Sequence, residues 1–413
     1  MRLANLIVFG LILVLSSPAF ADVKVDFSAY ARSGIQVGSQ GGKGENLNPE
    51  GGFAITNRLQ ETSYFELGAN THLEQDSRLV MTFGNGSDMP HYSGDWPGPA
   101  FAVRNFYFAM DKMPDNPSTS LWLGSRMYRG GDIYLFDMWP SDNQNMLGAG
   151  IAYGKSTKVE FAIGAKSDAA YSGPVTTLNS KSGQRYFLIN KLEMPITADK
   201  KLKTNAEFHF IPKSSASYIV GASTTPINVP SSSGVLLSAQ YPFWGTNTGF
   251  MRLGAGDVEA PKFELAQVAV QDYPGLTTRT GSKLAHVGLS NAMEFEPFNL
   301  GVMYAVIGQW SKPRDAAAAS CITSSVRPMY YVTNRLHAGF ELDGVHYFKQ
   351  LTSNDIDYFE ISPMLEYAIN KNVYGSPKFR LIASQAFYAQ NVTKYNESVK
   401  NAFNVGFGFE VWF

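Results

Sequence analysis

The chain has 413 residues with a formal net charge of −1, and only 17% of its residues are charged against 13% aromatic. Soluble proteins carry roughly 25% charged residues, and the near-zero balance excludes the basic footprint of a nucleic-acid binder. A single cysteine, Cys321, excludes an internal disulfide and any multi-cysteine metal centre.

Residues 1–21 have the layout of a secretory signal. Arg2 supplies the positive start, Leu6 to Leu15 is apolar apart from Gly10, and Ala19-Phe20-Ala21 is an A-x-A cleavage site. That apolar run is too short for a retained anchor helix. Residues 22–413 are then expected to form one domain, because no linker or shift of composition interrupts them. No later run approaches the length of a spanning helix. An exported chain without such a helix crosses a membrane only as a closed barrel; a soluble periplasmic β-protein is the competing class.

Period-two alternation recurs along the chain, which is the mark of strands with two different faces. Val25, Phe27, Ala29 and Ala31 share one parity, and Asp26, Ser28, Tyr30 and Arg32 the other. Gly41 to Gly52 is a loop. Ser63, Phe65, Leu67 and Ala69 alternate with Thr62, Tyr64, Glu66, Asn70 and His72, and Arg58 has this second parity. Further strands are expected near Leu79–Phe83, Asn105–Met110 and Leu121–Tyr128, with Arg104 on the apolar parity of Phe106 and Phe108. From Tyr128 to Asn145 the alternation breaks. It returns at Leu147–Tyr153 and Val159–Ala165, and continues through pairs such as Phe208/Phe210 against Glu207/His209 and Phe379/Leu381 against Arg380/Ser384. Short turns alternate with longer Gly/Ser/Pro/Asn loops, as in outer-membrane barrels.

The final stretch is the most regular. Phe403, Val405, Phe407, Phe409, Val411 and Phe413 are all apolar, while Asn404, Gly406, Gly408, Glu410 and Trp412 occupy the other face. Its length suits a tilted membrane strand of roughly 9–11 residues. The expected fold is therefore all-β, a transmembrane antiparallel barrel.

Several motifs resemble the maltoporin (sugar-specific porin) family of outer-membrane barrels. They are Val25-Asp26-Phe27-Ser28-Ala29-Tyr30-Ala31-Arg32-Ser33-Gly34; Arg58-Leu59 with Glu61 to Gly68; Asp95-Trp96 with Pro99-Ala100-Phe101; Ser120 to Gly124 through Met127-Tyr128; Val326 to Tyr330; Tyr374-Gly375-Ser376-Pro377; and the terminal Glu410 to Phe413. The matches run from end to end and are weakest in the middle. The resemblance implies a barrel of about 18 strands, a homotrimer inserted by the barrel-assembly machinery into outer-membrane lipid of a Gram-negative type envelope, and passive uptake of maltose and maltodextrins without a cofactor. A general porin is the alternative.

Motif by motif, the resemblance implies an aromatic track for sugar rings at Tyr30, Tyr64, Tyr374 and Trp412, extended by Trp96 from a neighbouring subunit. Tyr30, Tyr64 and Trp412 independently have lumen parity. The track's mid-chain aromatic is left open among Phe243, Trp244 and Phe250. Arg32, Arg58 and Glu66 fall on polar sugar contacts. Tyr128–Asn145 falls on an inward-folded constriction loop carrying Arg129, Asp132, Asp137 and Trp139, with Gly130 where the family has its loop arginine. Catalysis has little support: the six histidines are scattered outside any nucleophile motif. Asp132 and Asp137 are better explained by a polar constriction than by glycoside hydrolysis, and no His/Cys/Asp cluster has metal-ligand spacing.

Overall fold

The computed structural model describes residues 23–413 apart from 40–43, 50–53, 60–62, 75, 86–100, 129, 142–143, 168–170, 173–174, 179–183, 221–222, 230, 244–246, 259–267, 271–272, 279–281, 314–316, 351 and 395. The stretch expected to be an export signal, Trp96, Arg129 and Trp244 lie outside the described residues.

Eighteen antiparallel strands close into one barrel. They are β1 (Val25–Gly38), β2 (Tyr64–His72), β3 (Ser77–Asn85), β4 (Phe101–Met110), β5 (Thr119–Met127), β6 (Asn145–Tyr153), β7 (Lys158–Ser167), β8 (Gln184–Pro195) and β9 (Lys201–Ile211). The second half comprises β10 (Ser232–Pro242), β11 (Thr248–Gly256), β12 (Lys283–Phe295), β13 (Leu300–Lys312), β14 (Ala319–Tyr331), β15 (Leu336–Lys349), β16 (Tyr358–Ala368), β17 (Lys378–Lys394) and β18 (Glu397–Trp412). Each strand pairs with the next in the chain, and β1 pairs with both β2 and β18. The seam is tied at its end by Ala29 N–H donating to Phe413 O and Phe413 N–H to Ala29 O, each 3.1 Å. Closure removes the unpaired edges that hydrocarbon would not tolerate.

The alternation seen in the sequence sorts the faces. Phe27, Ile35, Leu123, Ile163, Leu188, Leu381, Phe407 and Phe409 point outward and are exposed. Arg185, Arg252, Arg327, Glu207, Glu341, Glu366 and Glu410 point inward and are buried. A lipid-facing belt around a polar lumen is the pattern of a transmembrane barrel. Connections described after even-numbered strands include short turns, such as 154–157, 196–200 and 332–335, while several after odd-numbered strands are long. Three of the long connections pair outside the barrel wall: Val175–Leu178, Ser214–Val220 and Ser223–Val229 form one small sheet, and Tyr171–Ser172, Val268–Val270 and Tyr273–Thr278 another.

Two long connections fold into the lumen instead. The first, residues 44–49 and 54–59, is pinned to the wall by Lys394 Nζ donating to Asn46 O (2.6 Å), Tyr388 Oη to Leu47 O (2.6 Å) and Tyr358 Oη to Asn48 Oδ1 (2.6 Å). The second, described over residues 130–141, contains the 3-10 turn Tyr134–Phe136. Ile133 to Phe136 and Met138 pack against Phe250, Met303, Ala305, Ile307, Met329 and Met364 on the inner wall. The inner wall is thus apolar where this segment rests on it, and further buried apolar clusters lie around Tyr347, Tyr358 and Tyr388 and around Trp122, Phe187 and Ile189.

One expectation needs correction. Arg104 does not follow Phe106 outward. The pairing of β3 with β4 shifts register between Thr82 and Phe83, and the extra residue resets the alternation. Val103 and Phe106 are exposed outside, while the Arg104 guanidinium lies inside, 6.0 Å from the Tyr64 ring centroid.

Candidate functional site

Strand register assembles the site on the wall formed by β18, β1 and β2. Tyr30 stands opposite Trp412 on β18 and Glu66 on β2, and Arg32 stands opposite Glu410 and Tyr64. Six lumen-facing side chains therefore come from consecutive strands at two adjacent levels. The Tyr30 and Tyr64 rings are 5.8 Å apart between centroids and inclined at 50°. Arg32 lies over both, 5.8 Å from Tyr30 and 5.5 Å from Tyr64, within the range of a cation–π contact. Tyr64 Oη donates to Glu66 Oε2 at 2.5 Å, which fixes the ring edge.

The two inward segments meet over this wall. Arg58, on the first, donates its backbone N–H to Leu135 O of the second (3.1 Å). Its side chain donates to Tyr30 Oη (2.5 Å) and Glu410 Oε1 (3.2 Å) and comes within 4.0 Å of Asp137. Tyr134 Oη donates to Glu410 Oε2. Around that phenol ring stand Arg58 at 4.6 Å, Lys378 at 5.0 Å and Arg327 at 5.4 Å from its centroid. Arg327 is paired with Glu341, and Arg380 with Glu366 at 2.5 Å.

A cavity of about 360 Å³ brings most of the sequence-predicted residues together. Tyr30, Arg32, Arg58, Tyr64, Glu66, Asp132, Asp137 and Trp139 all line it. A larger lumen cavity of about 870 Å³ lies on the other side of Arg58 and Tyr134, with Arg32, Lys378, Arg380 and Glu410 in its wall. Trp412 and Tyr374 line neither. Trp412 is reached through Lys378, whose ammonium is 5.1 Å from its ring, and its backbone N–H donates to Ser376 Oγ (2.7 Å). Tyr374 sits in turn 369–377, 45% exposed, with its ring edge-on to Tyr134 at 5.8 Å. It shares a small cavity with Asp132 and Tyr134. Of the mid-chain aromatics, Phe250 is on the lumen side of β11 but only 5% exposed beneath the second segment, whereas Phe243 is 44% exposed in a turn.

Tyr134, Glu410, Lys378, Arg380 and Arg327 are not among the site residues expected from the sequence, and Arg104 is expected on the opposite face. Glu410 shares its parity with Trp412, and Lys378 shares that of Arg380, so alternation marked them as lumen residues without saying which were central. The bulge hides Arg104 from alternation altogether. Chemically, the site offers ring faces flanked by charged donors and acceptors. Among the described residues, no group of three His, Cys, Asp or Glu side chains is placed to hold a metal.

The sequence profile described as LamB porin matches residues 25–413. Among solved structures, Wzi of Escherichia coli, described as a carbohydrate-binding β-barrel involved in group 1 capsule assembly, is 10% identical with a TM-score of 0.46, covering 98% of this chain and 87% of that one. OprB of Pseudomonas putida is 10% identical with a TM-score of 0.44, covering 94% of both chains. OccK3 (OpdO) of Pseudomonas aeruginosa is 8% identical with a TM-score of 0.44, covering 95% of this chain and 96% of that one.

Proposed function

With a match over nearly its whole length, the protein belongs to the LamB porin family of outer-membrane channels, and from that premise we propose that it passes sugars selectively, maltose and maltodextrins foremost. Residues 1–21 serve as the export signal and 22–413 as a single barrel domain. The working unit is a homotrimer, inserted by the barrel-assembly machinery, in which a neighbouring subunit lends Trp96 to the mouth. The family is one of channels rather than enzymes, so Asp132 and Asp137 belong to the constriction and not to a hydrolytic pair.

The observation that carries this proposal is the 360 Å³ cavity, where two tyrosine faces meet two arginines, three carboxylates and Trp139. A pyranose has apolar faces and a rim of hydroxyls. Tyr64 and Tyr30 take the faces, while Arg32, Arg58, Glu66 and Asp137 take the hydroxyls through charge-assisted hydrogen bonds. From the long-loop end inward, Tyr64 comes first, then Tyr30 level with Trp412, then Tyr374 at the turn end. The sugar moves from ring to ring, and each step replaces one set of contacts by a similar one. Such a channel needs binding favourable enough to admit the solute and weak enough to release it. Trp139 and Asp137 narrow the path beside Tyr30 and Tyr64, which favours a linear oligosaccharide threading end-on.

Liposome swelling with a sugar panel tests this. Maltodextrins are expected to enter faster than unrelated solutes of equal size. Rates that follow size alone make the protein a general porin.

A further inference from the structure

Glu410 is the hub of the constriction. It is 6% exposed on the lumen face of β18. Its carboxylate accepts hydrogen bonds from Tyr30 (2.8 Å), Arg58 (3.2 Å) and Tyr134, and lies 3.8 Å from Lys378 and 4.0 Å from Arg380. The three cations do not depend on it equally. Arg58 also meets Asp137, and Arg380 is held by Glu366. Lys378 has no second carboxylate within 4.0 Å among the described residues. Its ammonium makes no hydrogen bond there and is 1% exposed. The ring faces of Tyr134 and Trp412 lie 5.0 and 5.1 Å from it. Both Lys378 and Glu410 line the 870 Å³ lumen cavity.

We propose that Glu410 and Lys378 form a charge-balancing pair that sets the ion selectivity of the pore. The pair is buried, so salt screens it less than charges on the surface, and both residues border the larger lumen cavity. Either charge alone adds a unit field to the narrow part of the lumen. Together they cancel, so that a neutral solute meets no trapped counter-ion. The proposal needs only a channel and is independent of which solute the channel favours.

The test is the reversal potential in planar bilayers under a salt gradient, with barrel assembly checked by heat-modifiable migration. Glu410→Gln removes the one carboxylate within 4.0 Å of Lys378 among the described residues and is expected to raise the anion-to-cation permeability ratio by up to about thirtyfold. That is about 1 kcal/mol lost by the cation and about 1 kcal/mol gained by the anion for a unit charge 4 Å from an ion in water. Lys378→Met is expected to shift the ratio the opposite way, and the double variant to return to the parent. Tyr134→Phe removes one of the carboxylate's hydrogen bonds without changing charge and is expected to leave the ratio unchanged, which separates selectivity from a merely structural role. Should Glu410→Gln fail to assemble, the sign of the Lys378→Met shift decides alone. Shifts of the same sign in both single variants, no shift in either, or a double variant that does not return overturns the proposal.

Discussion

Replacing Phe407 by arginine puts the membrane-facing assignment of the last strand to a quantitative test. Phe407 is 56% exposed on the outside of β18. Its register partners are Leu381 on β17 and Ile35 on β1, both exposed and apolar, and its ring stacks on Phe379 at 6.4 Å and 8°. An arginine there has no acceptor among these neighbours. Placing Arg on the lipid face near mid-membrane costs about 2–4 kcal/mol, and losing the aromatic pair costs about 0.5–1.5 kcal/mol more. The total, roughly 3–5 kcal/mol, is a factor of at least about a hundred in the folding equilibrium. Phe407→Leu, which keeps an apolar surface, is the control. Urea titration of refolding into lipid vesicles, followed by heat-modifiable migration, measures both. If Phe407→Arg folds as stably as Phe407→Leu, that face of β18 is not in lipid.

Three further perturbations follow from the geometry. Trp139→Ala is expected to raise single-channel ion conductance, because Trp139 lines the same cavity as Asp137, Tyr30 and Tyr64; unchanged conductance removes it from the constriction. Deleting Phe413 breaks both hydrogen bonds that tie the seam to Ala29, and the yield of assembled barrel on unheated gels should fall. Gly124→Ala should destabilise the barrel by a few kcal/mol, since Gly124 has φ +133° and a Cβ there would stand 2.4 Å from Phe106 O; the urea midpoint in vesicles reports it.

What the sequence made legible follows from what period two measures. A strand between lipid and lumen alternates strongly, so the outward faces of β1, β2 and β18 and the lumen positions of Tyr30, Tyr64 and Trp412 can be read residue by residue. Alternation says nothing about what an inward side chain meets across the lumen. Met303, Ala305 and Ile307 look like any apolar parity until the Ile133–Met138 segment is seen resting on them. Gly41 to Gly52 reads as an ordinary loop and Arg58 as part of the second strand, whereas the strand begins only at Tyr64 and Arg58 lies on the inward segment; the anchors of that segment, Tyr358, Tyr388 and Lys394, lie more than three hundred positions from Asn46–Asn48. Arg104 was misplaced because a bulge shifts parity by one residue, and one residue exchanges the two faces of a strand.

The central proposal, a sugar path along the tyrosine wall, is tested most directly by maltodextrin block of ion current in planar bilayers. The parent channel is expected to close reversibly as maltohexaose is added. Tyr64→Ala and Trp412→Ala should each weaken that block several-fold, a loss of about 1.4 kcal/mol being tenfold in affinity, while open-channel conductance stays near that of the parent. A parent channel that maltohexaose never blocks, or two variants that bind it as tightly as the parent does, contradicts the proposal.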